Sequence, residues 1–329
     1  MYDETMIKED NLIFLISQPR SGSTIIQKIL TNNDHIATAS EPWILLPFAG
    51  MVYPHLNNST YNSKVASIGI KEFLSEKEEE KFKTDLKEMI LGIYTKKIND
   101  SLFFLDKTPR YYEILDFIQE FFPKARIIIL KRNPFAVLNS IIDTWNVKNF
   151  IKLGQYYRDL VVAPFLIQEF ADKNLHNPNV AVVRYEDFIN NPDSFLVNIF
   201  NWLGISYDKS YLDYNQNFKL QGKYGDPIGV KKFSTITNEN QNVWNGKFKE
   251  EYWSDFFMGY ADYLGADFLN KYGDYNAPLI KRTQSFKDFE FYFKNNLTSY
   301  PVQSLKSFYK LGRITLNCRL NKYRKKFYF

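Results

Sequence analysis

The chain has 329 residues, 45% of them hydrophobic and 24% charged, with 14 glycines and 13 prolines. Those proportions exclude a disordered chain and a collagen repeat, while the single cysteine, Cys318, excludes a disulfide-stapled miniature and fits a reducing compartment. The net charge of +5 is uneven: twelve Lys and Arg against two acidic residues lie between Asn276 and Phe329, so everything before them is net acidic.

Asn11 to Ser17 (NLIFLIS) is a run of strand formers, far shorter than the roughly 20 apolar residues that span a bilayer, and no signal peptide precedes it. Gln18 to Thr24 (QPRSGST) reads as a tight loop, and Ile25, Ile26, Ile29 and Leu30 as the apolar stripe of a helix. Pro47 to Asn99 breaks the rhythm; it holds a charged helical run, Glu72 to Met89, and is expected to leave the sheet and wall the substrate side. Leu102 to Leu105 predicts a strand, Tyr111 to Phe122 an amphipathic helix, and Ala125 to Leu130 (ARIIIL) another strand. Phe135 to Trp145 predicts a helix opened by Pro134, which suits a first helical turn. A long helical pattern, Ile151 to Asp172, precedes a strand at Val180 to Val183 and a helix at Pro192 to Leu203 with Gly204 as its C-cap. Tyr207 to Asn242, rich in Gly, Asn and Lys and without period, reads as a long functional loop. Strands alternating with helices predict an α/β fold, a parallel sheet flanked by helices on both faces.

In such sheets ligands bind beyond the carboxyl ends of the strands, and the first strand–loop–helix is the favoured anion site. Gly22 permits close backbone approach, Ser21, Ser23 and Thr24 offer hydroxyls, and Arg20 a cationic fork. The loop lacks the spaced glycines and the Lys of a Walker A motif, which argues against a nucleoside triphosphatase. An ordinary βα turn with an exposed Arg is what the seven residues alone leave open.

With its strand, QPRSGST resembles the 5′-phosphosulfate loop of sulfotransferases that use 3′-phosphoadenosine 5′-phosphosulfate, in the Arg-containing form of tyrosylprotein sulfotransferases and bacterial relatives. Arg132-Asn133-Pro134 with Ser140 resembles the 3′-phosphate element of that family. DKTPR around Lys107, VRYEDF from Val183 to Phe188, and Trp244-Asn245-Gly246-Lys247 resemble further blocks in the same order. The resemblance implies a P-loop NTPase-like sulfotransferase domain over residues 1–275, with 47–99 on the substrate side and 207–242 over the cofactor. It implies that Arg20, Ser21, Gly22, Ser23, Thr24, Arg132, Ser140, Tyr185 and Lys247 hold the cofactor, with Lys231 and Lys232 in the closing loop. Arg20 and Lys107 are expected to stabilise the leaving phosphate.

The acceptor hydroxyl needs a general base. Glu41, in Ala39-Ser40-Glu41-Pro42-Trp43, falls where tyrosylprotein sulfotransferases carry their catalytic glutamate, with Pro42 and Trp43 expected to give it a partly apolar site. His35 is the competitor, because hormone-type sulfotransferases use histidine. The histidines His35, His55 and His176 stand apart and no CxxC occurs, so no metal is expected. The expected acceptor is a saccharide or glycolipid; a kinase and a non-catalytic nucleotide-binding protein are the alternatives. The expected location is the cytoplasm. The basic, aromatic extension 276–329 is expected to form a helix that docks on the body or rests on an anionic inner membrane face, without nucleic-acid binding.

Overall fold

A computed structural model describes residues 7–57, 59–148, 150–213 and 251–275. They form two compact units: 7–130 with 169–213, and 131–168 with 251–275. The first is built on a five-stranded sheet of β1 (Leu12–Ser17), β2 (Ile36–Thr38), β3 (Phe103–Asp106), β4 (Arg126–Lys131) and β5 (Val180–Arg184), in the order β2-β3-β1-β4-β5.

β1 runs parallel to both neighbours, with Leu12 opposite Phe104 of β3 and Ser17 opposite Leu130 of β4; β2 runs parallel to β3, with Thr38 opposite Leu105. Parallel neighbours need crossovers, which explains the alternation in the sequence. All six residues of β1 are buried, as a central strand covered on both faces requires. Ile13 and Leu15 pack with Ile26, Ile29 and Leu30 of α1 (Ser23–Leu30) and with Leu196 and Phe200 of the helix Pro192–Leu203. Phe14 points to the opposite face, where its ring lies 6.5, 6.4 and 5.8 Å from those of Tyr94, Tyr111 and Phe122. Gly204 ends Pro192–Leu203 in the left-handed conformation, as expected.

Between β2 and β3 the chain forms α2 (Leu45–Val52), a 3-10 turn (Pro54–Leu56), α3 (Ser63–Phe73) and α4 (Glu76–Ile98). The charged run expected over Glu72 to Met89 is therefore two helices. The Asn62 side chain accepts from the amides of Lys64 and Val65 to start α3, and a reciprocal Ser75–Glu78 capping box starts α4. α4 continues to Ile98 because Leu86, Ile90, Leu91, Tyr94 and Ile98 form one buried stripe.

Three further expectations are corrected. β2 lies in a segment for which the sequence predicts no strand. The helix expected at Tyr111 to Phe122 is a 3-10 helix, Pro109–Ile114, followed by the α-helix Leu115–Phe121. The continuous helix expected from Ile151 is broken into Phe150–Leu153, a 3-10 turn Gly154–Tyr156, a π turn Arg158–Val162 and the helix Ala163–Lys173. Pro164 explains the π turn: it has no amide to give the Leu160 carbonyl, which instead accepts from the Tyr260 hydroxyl at 2.7 Å.

That bond belongs to the second unit, where Phe135 also meets Tyr260 edge-on at 5.8 Å. Lys131 is buried there; its Nζ donates to Gln168 Oε1 at 2.7 Å and lies 5.2 Å from the Tyr272 ring.

Candidate active site

The loop that leaves β1 is held by two left-handed residues, Arg20 at φ +71° and Gly22 at φ +91°. Gly22 is required twice over, for its φ and for space: a Cβ there would lie 2.3 Å from Tyr185 Cε2 and 2.5 Å from Cδ2. It is also the N-cap of α1, and no side chain caps it among the described residues. Ser21 is fully buried, and its hydroxyl has no hydrogen-bond partner among the described residues. An uncapped helix start beside an orphaned buried hydroxyl suits an anion, which would satisfy both.

The ends of β2 and β3 converge on the same loop. Lys107, directly after β3, is fully buried; its Nζ donates to Glu41 Oε1 at 2.8 Å and to Thr24 Oγ1 at 3.3 Å. A buried ammonium is costly unless paired, and here a carboxylate and a hydroxyl share it. The other Glu41 oxygen, Oε2, accepts from Trp43 Nε1 at 3.2 Å, so Trp43 holds the carboxylate by its indole N–H rather than by the apolar contact expected. Trp43 stands at φ +59°, rare for a bulky residue, and the Arg110 guanidinium lies 5.4 Å from its ring centre. Gln27 Nε2 donates to Thr38 Oγ1 and to the Ala39 carbonyl, both at 2.8 Å, and Thr38 Oγ1 donates to the Leu105 carbonyl at 2.7 Å. These bonds tie the segment carrying Glu41 to α1 and β3.

Behind Lys107, the fully buried Asp106 accepts from Tyr94 at 2.6 Å, Thr108 at 2.8 Å and Tyr111 at 3.0 Å. Burial pushes its carboxyl up to about 6, against the opposing pull of those three hydroxyls and Lys107. The Tyr111 hydroxyl in turn accepts from the amide of Leu45, the first residue of α2.

The structure thus brings together Ser21, Gly22, Thr24, Glu41, Lys107 and Tyr185 within the first unit; Arg20 and Ser23 belong to the same loop. His35 is exposed at the amino end of β2, whereas Glu41 follows its carboxyl end. Arg132, directly after β4, and Ser140, within the helix Pro134–Thr144, are half-buried in the second unit; Asn133 starts that helix by accepting from the Phe135 amide at 2.9 Å. Lys247, Lys231, Lys232 and the extension 276–329 lie outside the described residues. The sequence offers no role for Asp106 or Arg110, although DKTPR contains both, and for Trp43 it suggests only an apolar contact with Glu41. Among the described residues no cluster of His, Cys, Asp or Glu could hold a metal ion, and no helix is long and apolar enough to cross a membrane.

A parallel sheet whose central strand opens into an uncapped helix start, with a buried cation and a carboxylate beside it, is an arrangement suited to an anionic group. The family model described as "Sulfotransferase family" matches residues 12–209, and the chain belongs to that family. It is 24% identical over 288 residues to nodulation protein NoeE of Sinorhizobium fredii (strain NBRC 101917 / NGR234), covering 80% of this chain and 65% of NoeE. The chain therefore spans less than two thirds of that relative. Two solved structures share the fold: the sulfotransferase domain from the curacin biosynthetic pathway (TM-score 0.51, 21% identity, 70% of this chain and 89% of that one) and that from the Synechococcus PCC 7002 olefin synthase (TM-score 0.51, 24%, 71% and 86%).

Proposed function

We propose that the chain moves a sulfuryl group from 3′-phosphoadenosine 5′-phosphosulfate to a hydroxyl of a saccharide or glycolipid, with Glu41 as the general base. The observation that carries this reading is Lys107, whose ammonium joins Glu41 to Thr24 at the start of α1. It sets a proton-accepting carboxylate one cation away from an anion cradle.

The residues fit the donor. The orphaned Ser21 hydroxyl, the uncapped α1 start and the Gly22 cradle suit its 5′-phosphosulfate, with Arg20, Ser23 and Thr24 in the same loop. The family resemblance assigns the 3′-phosphate to Arg132 and Ser140 and the adenine to Tyr185, and assigns to the same cofactor Lys247, which lies outside the described residues. When bound, the donor supplies the sulfuryl group, and its phosphate is the leaving group. Glu41 accepts the acceptor's proton; each of its oxygens, though engaged by Lys107 or Trp43, keeps a lone pair for that purpose. Lys107, Arg20 and the α1 amides balance the charge that grows on the departing phosphate.

Thermal-shift measurement with 3′-phosphoadenosine 5′-phosphate against ATP and magnesium tests the reading. Stabilisation by the former alone is expected. Stabilisation by ATP and magnesium alone would make the chain a kinase-like protein and sink the proposal.

A further inference from the structure

A cavity of about 520 Å³ opens among α2, the turn Pro54–Leu56, α3 and α4. That volume falls in the roughly 300–1,000 Å³ range of small-molecule sites. Met51, Val52, Ile70, Phe73, Leu74 and Phe82 line it, with Ala66 on the α3 wall. α3 buries none of its eleven residues, and it leaves Phe73 86% and Ile70 54% exposed. Exposed apolar residues are ordinary one at a time; gathered around a concavity, they mark a binding surface.

Two observations say what fills it. Two polar groups at the rim are engaged with the protein itself, Asn57 Nδ2 donating to the Gly50 carbonyl at 2.6 Å and Lys83 pairing with Glu120 at 3.0 Å, and Tyr61, Ser67, Lys71 and Glu79 complete the polar edge. The walls inside that edge offer a ligand apolar contact, in a recess too small for a protein domain. α2 also links the cavity wall to the candidate active site. Gly50, Met51 and Val52 form one wall, while the first residue of the same helix is bonded through Tyr111 to Asp106, next to Lys107. The backbone from Glu41 to Gly50 reaches at most about 21 Å, four residues extended and the rest helical.

We infer that this cavity holds the aliphatic chain of an amphiphilic acceptor whose hydroxyl-bearing head group extends to Glu41. The inference rests on the function proposed above and narrows its acceptor to a compound with a hydrocarbon tail.

Isothermal titration of the full chain with maltose and with octyl, decyl and dodecyl maltoside, each below its micellar concentration and without nucleotide, tests it. The Kd should tighten about fifteenfold for each two methylenes added, with maltose the weakest. Ala66→Trp, which fills the recess from a helix that buries nothing, should abolish that dependence on chain length, and Phe73→Ser should weaken it. The thermal shift given by 3′-phosphoadenosine 5′-phosphate reports that each variant is folded. Equal affinity for maltose and dodecyl maltoside, or an unaltered chain-length dependence in Ala66→Trp, overturns the inference. So does a wild-type dimer that Ala66→Trp dissociates without touching alkyl binding, which would assign the surface to a second copy. Because the titration needs no nucleotide, a failed nucleotide shift in the wild type would sink the proposed function and leave the titration readable on its own.

Discussion

The two ends of α2 border opposite departures from the usual rule that apolar groups go inside and polar groups outside. Ahead of it, at the carboxyl ends of β1, β2 and β3, Ser21, Asp106, Lys107 and Thr108 are buried to the last atom. Beyond it, α3 exposes valine, isoleucine and phenylalanine and buries nothing. The first region is over-determined: Lys107 ties Glu41 to Thr24, Trp43 holds the other Glu41 oxygen, and Gln27 anchors Thr38 and Ala39 just before it, which is what preorganised chemistry requires. The second is under-packed, with Val65, Ile68, Ile70 and Phe73 each more than half exposed. One fixes its buried polar groups in place; the other leaves apolar side chains uncovered.

The comparison breaks most sharply at Glu41. Glu41→Gln keeps an acceptor for Lys107 but removes the proton-accepting charge. It should lower kcat by about 10²–10⁴-fold while preserving the thermal shift with 3′-phosphoadenosine 5′-phosphate. His35→Ala, at the other end of the same three-residue strand, should leave kcat near that of the wild type. A Glu41→Gln enzyme with wild-type turnover, or a dead His35→Ala enzyme, would move the base elsewhere.

Why some of this was legible in the sequence and some was not follows from range. NLIFLIS and ARIIIL declare central strands because a strand buried on both faces has nothing but apolar residues to show. QPRSGST and DKTPR carry their chemistry in consecutive residues. Three residues of β2 are too few for any period to emerge, and α3 has no buried face to impose one. The contact of Tyr185 with Gly22 and the hydroxyls of Tyr94 and Tyr111 on Asp106 join residues far apart in the chain or drawn from different elements, so no local pattern announces them. The π turn needed knowledge that Tyr260 would take the carbonyl Pro164 leaves unbonded.

Asp106 gives the next largest effect, on stability rather than turnover. The folded protein holds the carboxyl proton up to about pH 6, whereas the unfolded chain releases it near the ordinary value of 3.8. In that window the folded state binds more protons, so stability falls as the pH rises from about 4 to 6, by on the order of 2–3 kcal/mol. Asp106→Asn cannot titrate. Chemical denaturation between pH 4 and 7 should show the decline in the wild type and a flatter profile in the variant. Identical slopes would mean that the three hydroxyls compensate fully for burial, and the over-determined region would lose one of its supports.

The smallest effect sharpens the comparison inside the site. Trp43 occupies the left-handed region without being glycine, a conformation its surroundings must sustain. Its contacts include the indole N–H on Glu41 Oε2 and Arg110 over the ring. Trp43→Phe keeps an aromatic ring for Arg110 and removes the N–H together with part of the indole. Losing one hydrogen bond to the base should cost about two- to tenfold in kcat, with the acceptor KM and the nucleotide thermal shift close to wild type. A change confined to kcat assigns the indole N–H to positioning the carboxylate. An unchanged kcat would mean that Lys107 alone orients Glu41, and that the left-handed turn at Trp43 serves to place Arg110 instead.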